Sequence, residues 1–395
     1  MADRCSRCLY TADHPLGMTF QDGVCLGCIT HEEKTTLDWS ARRALLEETL
    51  RAHSRNSRAY DCVVPVVGDA EDYFTLETVL SMGMSPLVVC VNDMFRNDIG
   101  WHNLHNLITR FDVDSLVFSP DLVVYRELVR NSLRKFDHVL LPFLQLHTSF
   151  PVHIALQRSI PLVVWGQNQA VEQVGKFSCT DEVEMSRWYR KENDLFGVDL
   201  KTLIGNGAGV RDRNLNFYRY PEPAALHARS VRGIYLSNYI PWDPLVQNNG
   251  ALRHGFLPQR QSGTFDPYER AGSSVYYGLH DLLKRKRIGY RKVEDHLTRE
   301  IRHGRLTRSQ AQSLASRYSC SRIDIRPFFD WLGVTESGYR WFVDHRLAVV
   351  SASIGDGGSG ACDTAISLPS SVAELLMEGA EPSRSFIPFG KGLRI

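Results

Sequence analysis

The chain has 395 residues, 43% of them apolar and 23% charged, with a formal net charge of +1; the length predicts a main domain of about 200 residues with smaller appendages. A charge so near zero excludes a global pull toward nucleic acid or acidic membranes, and no run approaches the roughly 20 apolar residues of a membrane span. Met1-Ala2-Asp3-Arg4 does not begin a signal peptide, so a cytoplasmic protein with neither a membrane nor a nucleic acid as partner is expected.

Two Cys-x2-Cys knuckles, Cys5/Cys8 and Cys25/Cys28, stand 16 residues apart at the head. This spacing sets four thiolates at tetrahedral corners, and zinc then replaces the core that so short a segment cannot build. A full set of four cysteines leaves no open coordination position, so Cys5, Cys8, Cys25 and Cys28 are expected to hold a structural zinc. Gly17 and Gly23 supply turns, and Met18-Thr19-Phe20 predicts a short strand. Of the remaining cysteines, Cys62 and Cys90 sit in apolar runs and read as buried small hydrophobes rather than disulfide partners.

Residues 36–51 carry Leu37, Trp39, Ala44, Leu45 and Leu50 at roughly helical spacing, which predicts an amphipathic helix joining head to body. The pattern then changes. Apolar runs at 62–67, 86–91, 114–118 and 160–165 predict four strands, with helices over 72–82, 101–110, 122–135 and 152–157 between them. Fully apolar strands alternating with helices imply a parallel sheet covered on both faces. Ligands of such sheets bind beyond the carboxyl ends of the strands. Three ends carry polar residues: Gly68 to Asp72, Asn92-Asp93, and Gly166-Gln167-Asn168. The expected organisation is a zinc ribbon over 1–35, a connecting helix over 36–56 and an α/β domain over 57–235. A helical substrate region over 236–350 and a flexible tail over 351–395 complete it.

Several segments carry a resemblance: the ribbon with Asp22-Gly23-Val24 before Cys25, Asp61-Cys62-Val63-Val64-Pro65-Val66, Val91-Asn92-Asp93, and His147 with Ser149-Phe150-Pro151-Val152. Trp165-Gly166, Tyr239-Ile240-Pro241-Trp242-Asp243, Gly278-Leu279-His280-Asp281 and Phe328-Phe329-Asp330-Trp331 continue it. Together they resemble the N-acetyl sugar amidotransferases of surface-polysaccharide and nonulosonic-acid biosynthesis, within the PP-loop ATP pyrophosphatases. The resemblance runs from the head to about residue 348.

It implies an α/β fold with a parallel sheet of the PP-loop (adenine nucleotide alpha hydrolase-like) type, under a C-terminal helical cap. It also implies a reaction: the amide oxygen of a nucleotide-activated N-acetyl sugar is adenylated by ATP with magnesium. Ammonia from a partner glutaminase then displaces AMP and leaves an acetamidino group. The nucleotide site implied is Val67, Gly68, Asp69, Ala70, Glu71 and Asp72, with Asn92, Trp165, Gly166 and Asn168. Asp93, His147 and Gln167 are the candidates for positioning or proton transfer.

The loop departs from the family form Ser-Gly-Gly-x-Asp-Ser. Aligned on Gly68, Val67 and Asp72 replace the two serines, Asp69 a glycine, and Glu71 the aspartate. Two hydroxyl donors are lost, and a Cβ appears where backbone should approach phosphate. Three carboxylates now stand where an anion should sit. At about 4 Å each unpaired like-charge contact costs on the order of 1 to 4 kcal/mol, more than a helix N-terminus ordinarily returns. Three readings compete: a pseudoenzyme that has lost ATP and binds a sugar or a partner; ATP held through metal ions; or a different cation-binding chemistry.

Residues 284–308 hold ten Lys or Arg against three acids. One reading is a solvated helical face. A second is a clamp for the diphosphate of a nucleotide sugar, with Arg291, Arg302 and Arg305 as its forks. A third is an RNA surface of a tRNA-modifying PP-loop protein, against which the near-neutral charge argues. Trp331, Trp341 and Phe342 read as core aromatics of the cap. Residues 351–360 read as a linker, and 372–377 as one short helix.

Overall fold

The computed structural model describes residues 4–54, 59–204, 212–355 and 367–376. In the head, strands β1 (Phe20–Gln21) and β2 (Val24–Cys25) pair antiparallel across Gly23, whose φ of +76° suits the turn. Helix α1 (Leu26–Glu33) starts directly after Cys25 and brings Cys28 back within its first turn. Asp38 caps α2 (Trp39–His53) by accepting the N–H groups of Ser40 and Ala41.

The body is built on five parallel strands: β3 (Cys62–Val66), β4 (Pro86–Val91), β5 (Ser115–Phe118), β6 (Leu162–Trp165) and β7 (Arg232–Tyr235). Their spatial order is β5-β4-β3-β6-β7. Alternate side chains of one strand serve opposite faces. Val63 joins a core with Val124, Leu128 and Leu146 from helices α5 (Leu122–Phe136) and α6 (Leu141–Arg158). Val64 joins another with Leu76, Val79 and Leu104 from α3 (Ala70–Ser81) and α4 (Asp98–Arg110). Each such fully buried side chain contributes roughly 1.5 to 3 kcal/mol.

Beyond β7 the chain is mainly helical. Its longer elements are α7 (Pro244–Gly250), α8 (Tyr277–Ile288), α9 (Lys292–Arg302), α10 (Arg308–Tyr318) and α11 (Arg326–Leu332); shorter turns of helix are not numbered. Among the described residues no helix is long and apolar enough to cross a membrane.

Four sequence expectations are corrected. The helix expected over 152–157 starts eleven residues earlier, at Leu141. Its length is masked in the sequence by Pro151, which sits mid-helix and leaves the His147 carbonyl without its intrahelical donor. A fifth strand, β7, completes the sheet; four residues with Arg232 and Gly233 leading give no distinct strand pattern. Trp341 is 54% exposed and stacks on His345 rather than entering the cap, whereas Trp331 packs on Phe95 and Phe328.

The fourth correction concerns the tail. Residues 348–353 form a helical turn, and 367–376 dock on the body of their own chain. Val372 is fully buried there, and the Leu375 carbonyl accepts from Asn249 and Tyr268. The rest of the expected linker and tail, including Cys362 and Met377, lies outside the described residues.

Candidate functional site

The chain passes from β3 outward to β5, then returns to place β6 on the other side of β3. A crevice must therefore open between the carboxyl ends of β3 and β6, where successive connections leave in opposite directions. The loop from Val67 to Asp72 and the turn at Gly166-Gln167 meet there. Together with α6 and α9 they line a cleft of about 270 Å³.

The three acids of the loop turn to three different partners. Asp72 folds back, and its Oδ2 accepts the backbone N–H groups of Val67 at 2.8 Å, Gly68 at 2.7 Å and Asp69 at 3.0 Å. Gly68 permits this with a φ of +87°. Asp69 caps α3 and accepts the Ser273 hydroxyl at 2.6 Å, with the Arg270 guanidinium 3.8 Å away. Glu71 crosses the crevice to accept the Gln167 N–H at 3.0 Å. Its oxygen lies 2.4 Å from where a Cβ on Gly166 would stand, so a larger residue there would displace the Glu71 carboxylate from this bond.

Burial dominates the electrostatics. It pushes Glu71 up to about 8, with the Asp72 charge adding to it. Burial and then Asp69 push Asp72 up to about 7, against the three N–H groups that lower it. Asp69 is also raised by burial, less so because Arg270 opposes it. The floor thus carries less negative charge at neutral pH than three free carboxylates would. His147, on α6, is held to about 3 by burial and by the cations Arg270 and Arg96, and faces the cleft as a neutral imidazole. It stacks on Phe143 and meets Trp165 edge-on.

Val67, Asp69, Glu71, Asp72, His147, Trp165, Gly166 and Gln167 come together around this cleft. The other loop and strand-end candidates serve local structure, as turn, cap or helix residues. Asp93 is 2% exposed and accepts the Phe95 N–H; Asn92 bonds Ser119 and Met94. Asn168 accepts from Tyr189 and from the Val171 N–H, and Ala70 is buried as the first residue of α3.

The basic stretch is corrected from a solvated face, and its three expected clamp arginines are set apart: Arg302 lines the cleft, Arg291 lines a separate cavity, and Arg305 lines neither. All ten cations of 284–308 donate to acceptors within the chain. Arg291 pairs with Asp281 at 2.9 Å, and Arg305 makes a two-pronged bond to Asp243 at 2.7 and 2.9 Å. Arg302 donates to the Glu172 and Gln173 carbonyls at 2.8 and 2.9 Å and lies over the Tyr10 ring. Each arginine of the expected clamp is engaged by a different internal group, because buried acids and carbonyls outcompete water for a guanidinium fork.

Sequence reading missed Arg270, Lys292 and Arg299, which form the cationic wall opposite the acidic floor. Lys292 holds Glu269 at 2.7 Å, and Glu269 in turn meets His296 at 2.7 Å. Asp266, Glu269 and His296 come close enough to share a cation, yet Arg299 takes Asp266 at 2.8 Å and Lys292 takes Glu269. Lys292 and Arg299 had a sequence signal only as members of the basic stretch, and Arg270 had none.

Two implied groups can be tested against the donor atoms. The four head thiols are buried and mutually within 4.8 Å. Cys8 Sγ and Cys25 Sγ lie 3.6 Å apart, against the about 3.8 Å edge of a tetrahedron with 2.3 Å metal–sulfur bonds. Cys5 Sγ also accepts N–H groups of Arg7, Cys8 and Cys25 at 3.3 to 3.4 Å, which favours a thiolate. This cluster is fit to hold a metal ion. The loop does not fit magnesium and a triphosphate: its amides are taken by Asp72, and Asp69, Glu71 and Asp72 form no converging ligand group among the described residues.

No curated protein matches the chain. The solved structure of NMN synthetase from Francisella tularensis is 12% identical, with a TM-score of 0.28, and the match covers 49% of this chain and 92% of that one. Residues 262–348, which supply the cationic wall, match the family described as LPS biosynthesis protein WbpG-like, C-terminal domain.

Proposed function

We propose that this protein is a cytoplasmic sugar-binding member of the N-acetyl sugar amidotransferase type, serving surface-glycan biosynthesis without ATP chemistry at its phosphate loop. The observation that carries this reading is the Asp72 carboxylate seated on the three loop amides. An anion held in cis competes with any phosphate at high effective concentration. The rest of the cleft suits a polyhydroxyl ligand. Trp165 and neutral His147 line it with rings and Gln167 with an amide, beside the charged wall. In this reading Gln167 and His147 position an acetamido group, and a structural zinc at Cys5, Cys8, Cys25 and Cys28 holds the ribbon.

The resemblance also implies the active form, in which Mg-ATP adenylates the amide and a glutaminase partner delivers ammonia. That form requires Asp72 to leave the amides. Calorimetric titration of the full chain with Mg-ATP and with a panel of UDP-N-acetyl sugars separates the two. Saturable heat with at least one sugar nucleotide and none with Mg-ATP is expected. Micromolar Mg-ATP binding by the unaltered protein sinks the proposal, as does silence with every sugar.

A further inference from the structure

A second cavity, of about 270 Å³, lies behind the cationic wall and shares Arg270 and Lys292 with the first. It opens beside the loop of residues 259–264 and the start of α8. Two buried donors in its lining have no partner among the described residues. Arg291 is 1% exposed; its Nε donates to Asp281 at 2.9 Å and its Nη1 to the Ser321 hydroxyl at 2.8 Å, while Nη2 donates to nothing. Ser274 is 4% exposed and its hydroxyl is likewise unpaired. A buried polar group left without a partner is destabilising, so two in one cavity ask for a ligand.

The free donor says which sign. The guanidinium nitrogens of Arg291 donate only and carry positive charge, so the ligand asked for is an acceptor, and the exposed Arg322 at the lining stands beside Asp324. Gly263 also lines the cavity. A Cβ there would stand 3.3 Å from Nη2 of Arg291, so the missing side chain keeps the approach to that nitrogen clear.

We propose that this second cavity binds a phosphoryl oxyanion, received by Arg291 Nη2 and the Ser274 hydroxyl. The guanidinium nitrogen left free by Asp281 and Ser321, with a hydroxyl in the same cavity, offers the donors that phosphate oxygens accept. The two cavities share Arg270 and Lys292, but the proposal rests neither on the Asp72-closed loop nor on the sugar reading above.

The test is calorimetry on the full chain at low salt with inorganic phosphate, repeated with UDP present. Gly263→Val blocks the approach without removing a charge, and Ser274→Ala removes one donor. Both keep the Arg291–Asp281 pair, so the fold should survive, and a melting scan checks this. Saturable phosphate binding is expected, weakened at least fivefold by each variant. Competition by UDP assigns the oxyanion to a nucleotide ligand, and its absence assigns it to free phosphate. No saturable binding by the unaltered chain, or unchanged binding by both folded variants, overturns the proposal.

Discussion

Asp72 Oδ2 accepts the Gly68 N–H at 2.7 Å, with the amides of Val67 and Asp69 closing on the same oxygen. Convergent backbone N–H groups of this kind form an anion-binding nest. The anion comes from the first turn of α3, so the nest is closed within one short loop. Read from sequence alone, the acids at 69, 71 and 72 suggested mutual repulsion; folded, each has a different role and burial raises all three.

Opening the nest should restore what it lacks. In the variant Val67→Ser, Asp69→Gly, Asp72→Ser, the carboxylate plug and the second loop charge go, and two hydroxyl donors return. Mg-ATP binding is expected to appear in the sub-millimolar range by calorimetry, against none for the unaltered chain. If the folded triple variant stays silent toward Mg-ATP, the plug is not what keeps phosphate out. Asp72→Ala alone leaves three amides without their acceptor, and should cost about 1 to 3 kcal/mol in denaturant unfolding.

Glu71 makes stability depend on pH in a stated direction. Its folded value of about 8 lies well above that of a free glutamate, so the folded chain keeps a proton that the unfolded chain releases. The stability from that proton is full below pH about 4.5 and is lost as pH rises through about 8. Glu71→Gln is neutral throughout and still offers an oxygen to the Gln167 N–H. Melting scans should coincide for the two proteins near pH 4.5, and at pH 8.5 the variant should melt roughly 2 °C or more higher. A gap that stays constant between pH 4.5 and 8.5 would show that Glu71 is not the titrating group.

What the sequence made legible follows its local signals. Cys62 to Val66 and Pro86 to Val91 are apolar at every position, so strands buried on both faces could be read directly, and the cysteine spacing marked the head. The loop ends at Gly68 and Gly166 could be placed at one crevice because parallel strands put their ends together. Partner choice was not legible. Asp72 and Val67 are neighbours whose bond depends on the αL turn at Gly68, and Arg291 finds Asp281 only once α8 and α9 are packed. The cationic wall of Arg270, Lys292 and Arg299 is set by long-range packing that no spacing encodes.

Close approach of backbone at Gly100 yields a sharp contrast. Gly100 lies in the first turn of α4, where Asn97 accepts its N–H at 3.0 Å. A Cβ there would fall 1.9 Å from the Gly272 carbonyl oxygen, and backbone cannot swing aside as a side-chain tip can. Gly250 ends α7 with open space around its Cβ position. Gly250→Ala should therefore stabilise by up to about 1 kcal/mol through lost unfolded-state freedom, while Gly100→Ala should cost several times as much. Denaturant midpoints measured on both decide it, and equal midpoints would refute the contact.

Arg302 ties the ribbon to the body, and its loss should loosen the head without removing a metal ligand. The guanidinium donates to the Glu172 and Gln173 carbonyls, lies 5.3 Å over the Tyr10 ring and reaches Cys25 Sγ at 3.6 Å. Gly27 makes room for it, since a Cβ there would stand 2.3 Å from both the guanidinium and the Gln173 oxygen. Arg302→Ala deletes two charge-assisted bonds and one cation–π contact, a loss of about 2 to 4 kcal/mol. Arg302→Lys keeps the charge but cannot span both carbonyls, so it should recover only part. On the zinc reading, the unaltered chain and both variants should each carry one zinc by metal analysis. Release of that zinc to a colorimetric chelator should be fastest from Arg302→Ala and slowest from the unaltered chain. Release at one common rate from all three, with unchanged unfolding midpoints, would mean that the ribbon stands on its own ligands and that Arg302 is incidental to it.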